Sequence, residues 1–137
     1  MAGKTYVQIN KFAVKDIFDD KHKSRVIGVM QKAAEAAVKK SGKLTLDAPK
    51  EKGATGFSLD GSLVSLGPDK SGKKLEGKVS MSISTWPGKS IKAMPSGSAA
   101  TGVPSADKID AGDVDAIAEA AVQSAMKAGV PYMEKNG

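Results

Sequence analysis

The residues that most invite a chemical reading run from Gly67 to Lys74. Gly67, Gly72 and Lys73 satisfy the Gly-x4-Gly-Lys spacing of a phosphate-binding loop. In such a loop glycine amides cradle an anion and the lysine reaches it. The next position should hold magnesium through a hydroxyl, but it is Lys74. A true phosphate loop also opens a helix, whose amino end faces the anion. Here the following residues alternate as a strand. The sequence therefore predicts a lysine-rich hairpin turn, whose candidate anion-binding residues are Lys70, Lys73, Lys74 and Lys78.

Other groupings point to metal or nucleophilic chemistry and fall short of it. Asp16, Asp19, Asp20 and His22 share one loop, but no second cluster completes a coordination shell. The expectation is a solvated loop, with no metal site and no cofactor. Asp110, Asp113 and Asp115 have the wrong glycine and glutamate spacing for a calcium loop and suit a helix cap instead. Ser71 and Lys74 match Ser-x-x-Lys, a pattern that chance supplies easily. No Gly-x-Ser-x-Gly elbow occurs, and a serine triad would have to use His22, the one histidine. No catalytic residue is assigned, and the chain is expected not to be an enzyme. Trp86, before Pro87 and Gly88, is either a closing piece of the core or an anchor for a partner.

Composition narrows the field further. The chain has 137 residues, 40% of them hydrophobic and 26% charged, which suits one ordinary domain with a core spanning about 4–129 and a short carboxy-terminal tail. It has no cysteine, so disulfide scaffolds, zinc thiolates and cysteine nucleophiles are out. Aromatics make up 4%, so the core must be aliphatic and rich in alanine. No stretch approaches the ~20 apolar residues of a membrane helix. No signal peptide is visible, and Met1 to Lys4 leads straight into a strand-like run. That start suits a periplasmic or secreted protein freed of its signal, and also a cytoplasmic one.

The formal net charge is +6, which invites an anionic partner such as nucleic acid, lipid or a cell-envelope polymer. Arg25 is the one arginine; every other basic residue is lysine. Lysine is a solvated point charge that lacks the bidentate fork used to read phosphates and bases, so solubility is the first account of it. Residues 1–92 hold 18 basic against 9 acidic residues, whereas residues 93–137 hold 3 against 6.

These candidates need elements to position them. Residues 5–14 read as a strand whose alternation slips near Asn10, a sign of a bulge. From Arg25 to Lys40 the apolar residues Val26, Ile27, Met30, Ala33, Ala34, Ala37 and Val38 recur at helical spacing, with Ser24 as the expected cap and Ser41-Gly42 as the stop. Leu44 and Leu46 mark a short second strand, and Phe57 to Leu63 a third. Leu75 to Ile83 alternates strictly against polar residues as a fourth, paired to the third through a hairpin at residues 67–74. A weaker fifth strand is expected from Ser90 to Thr101, at an edge because of Pro95. The last helix starts at Asp110 or Asp113, carries Val114, Ile117, Ala118, Ala121, Val122, Ala125 and Met126 inward, and is expected to end at Gly129-Val130-Pro131. The order β-α-β-β-β-β-α predicts an α+β two-layer sandwich, with two helices on one face of a mixed sheet of four to five strands.

Three segments resemble the periplasmic α/β domain of the curli-secretion lipoprotein CsgG and the amino-terminal domain of TolB. They are the opening strand Tyr6 to Phe12, the helix–turn–strand from Val29 to Leu46, and the Gly56 to Gly61 entry to a long hairpin. The closing helix from Asp113 to Gly129 is similar too. The resemblance implies a bacterial cell-envelope protein without catalysis, acting in assembly and protein contact, often as rings or repeated copies. The membrane-spanning insertions of CsgG have no counterpart here, so pore formation is not implied. The expected function is thus a non-enzymatic envelope module that binds a protein partner or itself. The alternative is a basic anion-binding module working through residues 67–78. An interface is expected at the strand-five edge or on the serine face of strand four, and the candidate interaction residues are Trp86, Ile91 and Met94.

Overall fold

The computed structural model describes residues 4–136; the Met1 to Gly3 start lies outside them. The elements are β1 (Thr5–Val14), α1 (Lys23–Lys40), β2 (Leu44–Thr45), β3 (Gly56–Pro68), β4 (Lys74–Trp86), β5 (Ile91–Ala93), β6 (Ser96–Gly102) and α2 (Ala111–Asn136). The sheet runs β2-β1-β3-β4, with β5 and β6 end to end along the free flank of β4. β1 is parallel to β2 and β3, and β3, β4, β5 and β6 are antiparallel where they pair. The result is the expected α+β two-layer sandwich. Its sheet is six strands by count and five strands wide.

Alternation decides which face is buried. On β4, Leu75, Gly77, Val79, Met81 and Ile83 are buried, and on β3, Phe57, Leu59 and Leu63 join them. The helices cover that face with Val26, Met30, Ala34 and Val38 of α1 and Val114, Ile117, Ala118, Ala121, Val122 and Ala125 of α2. The slip foreseen near Asn10 is a register shift between Ile9 and Phe12. A second shift between Leu63 and Ser65 returns Leu66 to the core side.

Glycine makes the layers close. A Cβ on Gly77 would lie 2.6 Å from Cγ2 of Ile117, and one on Gly97 would lie 2.8 Å from the Cβ of Ser124 and collide with the α2 backbone at Ala121 and Ala125. The second helix therefore rests almost directly on the β6 backbone, which only glycine permits.

Four expectations are corrected. The single fifth strand is two strands, because Pro95 interrupts it; the Pro95 carbonyl accepts from the Met81 amide at 2.8 Å, and β6 pairs onward from Ser96. Ser24 does not cap the first helix, since a 3-10 turn at Asp20–His22 leads into it and His22 sits at its cap position. Gly42 does not end that helix in a left-handed conformation; Ser41 turns extended instead (φ −77°, ψ 126°) and feeds β2. Pro131 does not stop α2, which continues to Asn136. Proline has no N–H for the Lys127 carbonyl. Its ring is exposed, and Met133 is fully buried beyond it while Tyr132 packs 6.1 Å from the Phe57 ring. Burial of that last turn outweighs the lost bond, so the expected tail is helix. The cap at Asp110 does form: the Asp113 amide donates to its carboxylate at 2.9 Å, and its own amide donates to the Asp113 carboxylate at 3.2 Å.

Gly97→Val should lower unfolding stability by about 1–3 kcal/mol, the usual cost of overpacking. Urea denaturation measures it, and an unchanged midpoint would mean that α2 does not rest on β6.

Candidate functional site

The hairpin is built to hold itself together. Lys70, Lys73 and Lys74 are exposed at its tip, where Gly72 takes φ +72°. The Asp69 carboxylate sits among them, accepting from the Ser71 hydroxyl at 2.7 Å and the Lys74 amide at 3.4 Å, while the Lys73 amide donates to the Ser71 oxygen at 3.1 Å. The amides that would cradle a phosphate are thus engaged within the turn, and a carboxylate occupies its mouth. Lys78 lies four residues along β4, with exposed Glu76 between it and Lys74 on the same side of the strand. The four lysines do not form one constellation. The Asp69 carboxyl is held below its usual range, chiefly by the Ser71 hydroxyl and further by the backbone amides of Lys74, Gly72 and Ser71, while desolvation opposes them.

The aspartate–histidine loop is divided. Asp19 caps its 3-10 turn through the Lys21 amide at 3.1 Å, and that bond leads in holding its carboxyl low. His22 turns inward and is buried. Its Nδ1 lies 2.7 Å from Nη2 of Arg25, and the Arg25 Nε donates to the Asp115 carboxylate at 2.8 and 3.1 Å. Guanidinium carries only donors, so Nδ1 is the acceptor and the imidazole proton belongs on Nε2. The clamp ties the starts of α1 and α2 together. Residue types alone did not disclose it. The signal available was the one arginine three residues after the one histidine, a spacing that puts both on one side of a helix. Among the described residues, no group of three or more histidines and carboxylates is placed to hold a metal.

The sheet face away from the helices carries polar side chains. The Asn10 amide donates to the Asp60 carboxylate at 2.8 Å, and Ser58 lies 3.5 Å from the Gln8 oxygen. A shallow depression of about 180 Å³ runs over Asp60, Ser62, Ser80 and Ser82, bounded by Lys15 and Met94. At the β5 flank, Ile91 is 60% and Met94 67% exposed, the two highest values among the large exposed hydrophobic residues described. Next to them β6 presents Ser-Gly-Ser-Ala-Ala-Thr-Gly, a seven-residue edge without a charge. Trp86, two residues beyond the Ser84 partner of Ile91, is packed differently. It is half-buried, packs edge-on against Tyr6 with centroids 4.7 Å apart, and walls a cleft of about 490 Å³ with Lys4, Thr5, Phe57 and Asn136. The three candidate interface residues therefore split into an exposed pair and one partly packed side chain.

No family model matches the sequence, and no curated protein matches it either. Solved structures match in architecture. Protein XCC0632 from Xanthomonas campestris, of family DUF330, is 12% identical over 99% of this chain and 88% of that one, with a TM-score of 0.58. A PelC dodecamer from Paraburkholderia phytofirmans is 9% identical over 89% of this chain and 85% of that one, at 0.51. A minor lipoprotein from Acinetobacter baumannii is 11% identical over 92% and 93%, at 0.48. At such identities the likeness is one of fold. The first two of these neighbours overturn the expected resemblance to CsgG and TolB. The resemblance rested on element order and on alternation, which many helix-on-sheet sandwiches share because the same layer packing demands them.

Two outcomes test this geometry. Arg25→Ala should cost about 1–3 kcal/mol in urea denaturation, because a buried imidazole loses its partner; Arg25→Lys should restore only part of that. Wild-type stability in Arg25→Ala would dismiss the clamp. The Asp69 pKa is lower in the folded chain than in the unfolded one. Its contribution is therefore complete above the unfolded value of ~3.9 and lost as pH falls through the lower folded value. Protection of the Lys74 amide from hydrogen exchange should follow that course and should be missing at neutral pH in Asp69→Ala.

Proposed function

We propose that the chain is a non-enzymatic cell-envelope module that works through protein–protein contact, with copies of itself as its first partner. The observation that carries this reading is the β5–β6 flank, where exposed Ile91 and Met94 adjoin an uncharged strand edge. Natural edges are usually blunted by lysine, proline or a bulge, because their free backbone groups recruit another strand. From Ser96 to Gly102 this edge has none of the first two. An extended segment can add there through main-chain bonds, with apolar side chains covering Ile91 and Met94. The likeness in fold to a PelC dodecamer supports a second copy as that partner. The non-enzymatic part is supported by His22, which is buried and engaged with Arg25 on the helix side, away from the serines of the open sheet face.

Mass-resolved chromatography should give a discrete oligomer that persists in high salt and grows in share with concentration. Ile91→Glu with Met94→Glu should return it to monomer without loss of helix signal in circular dichroism. A wild-type monomer throughout would overturn self-association. Recovery of the full-length gene product in the soluble cytoplasmic fraction, rather than with the envelope, would overturn the envelope placement.

A further inference from the structure

The net positive charge is concentrated at one end of the molecule. β1 and β3 begin there, and β4 and both helices end there. Register pairs Gly56 with Trp86 and Thr5 with Leu44, and Ser41 after α1 donates to Glu134 near the end of α2. Lys39 and Lys40 close α1, and Lys43 follows in the turn to β2. Lys50 and Lys52 lie in the loop between β2 and β3. Lys4, Lys89 and Lys135 come from the start of β1, the turn after β4 and the last turn of α2. These eight lysines face three acidic residues, Asp47, Glu51 and Glu134, so this pole holds five of the six net charges. All eight are exposed. The ion pairs among the described residues, Lys21–Asp19 and Arg25–Asp115, both lie elsewhere.

The opposite pole is balanced. The Arg25–Asp115 bond, the Lys73 carbonyl accepting from the Val103 amide at 2.8 Å, and Leu66 accepting from the Phe18 amide at 2.9 Å bring residues 15–25, 69–74 and 105–115 together. Those segments hold eight basic and eight acidic residues. The hairpin lysines singled out by sequence belong to this neutral end.

We infer that the basic pole docks on an anionic phospholipid bilayer. Its lysines come from six separate places in the chain and from both layers of the sandwich, so they form a cap and not a track. A flat charged surface meets such a cap at many points at once, whereas a single polymer strand meets charges along a line. Lysine suits this task, since a diffuse surface needs point charges and not bidentate forks. Each lysine held near an anionic leaflet adds attraction worth about a five-fold gain in partition. Trp86 stands among these lysines, and tryptophan is enriched at the water–lipid interface. The pole meets the β5–β6 flank at Lys89, two residues before Ile91, while its other lysines come from other elements, so it does not need self-association.

The test is co-sedimentation of the full chain with vesicles of phosphatidylcholine alone or mixed with phosphatidylglycerol. Binding is expected to the mixed vesicles only, falling steeply with salt as charges are screened. Lys39→Glu with Lys40→Glu and Lys43→Glu should weaken partition by roughly 100-fold or more. Lys50→Glu with Lys52→Glu, in a surface loop, provides a second variant should the first not fold. Lys70→Glu with Lys73→Glu and Lys74→Glu should bind within a few-fold of the wild-type chain, although its net charge falls as far as in the first variant. Equal loss in the pole and hairpin variants would overturn the inference, because net charge alone would then explain the binding. Three other results would also overturn it: no binding to mixed vesicles, displacement by inorganic phosphate at matched ionic strength, and tighter binding to single-stranded DNA at the same salt. Retained vesicle binding in Ile91→Ser with Met94→Ser, which adds no charge beside Lys89, keeps this test separate from that of self-association.

Discussion

The contact on which the architecture most depends is the near-touch of α2 and β6 at Gly97. A side chain there would collide with the helix backbone, so the strand and helix close to a distance that only glycine on one side and alanine on the other permit. Gly77 beneath Ile117 repeats the device one strand inward. This closeness lets a chain with 4% aromatic residues fill its interior with valine, leucine and alanine. Close packing then replaces large rings as the source of cohesion.

That packing has consequences at the surface. Both helices are used on one face, so the other is left to Gln8, Asn10, Ser58 and Asp60, which satisfy one another across strands. Because α2 lies over β6, the inner side of that strand is covered while its outer edge is not. The Arg25 fork fixes the starts of the two helices side by side, and the bond between Ser41 and Glu134 joins their ends. The helices therefore run parallel and gather their terminal lysines at one pole. The self-association proposed for the flank and the lipid docking proposed for the pole would thus draw on one frame.

Much of this was legible in the residues, for local reasons. Strict alternation from Leu75 to Ile83 made β4 unmistakable, because a pleat puts every second side chain in the core. The three-and-four spacing from Val26 to Val38 did the same for α1. Asp110 and Asp113 could be read as a cap because that motif lies within four residues. Pro131 was misread by the same local logic. Its effect on an isolated helix is to stop it, and only the burial of Met133 against the rest of the core overrides that. Ser24 lost its expected role because the chain enters the helix from a turn set by Asp19. Ile91 and Met94 stood out as apolar residues near a weak strand, whereas the packing of Trp86 against Tyr6 required strand register.

Residue types and their periods settle the element types, the α+β class, the aliphatic character of the core, and the exclusion of cysteine chemistry. Each depends on residue type or on periods of two and three to four, which act over one or two turns. Tertiary structure alone decided that Pro95 splits the edge in two and that His22 meets Arg25 and Asp115. It also decided that the hairpin lysines sit at a neutral pole while lysines from several elements share a basic one. These outcomes depend on distances between residues 90 or more positions apart. No local preference specifies such distances. They emerge only when the two layers close on a common core.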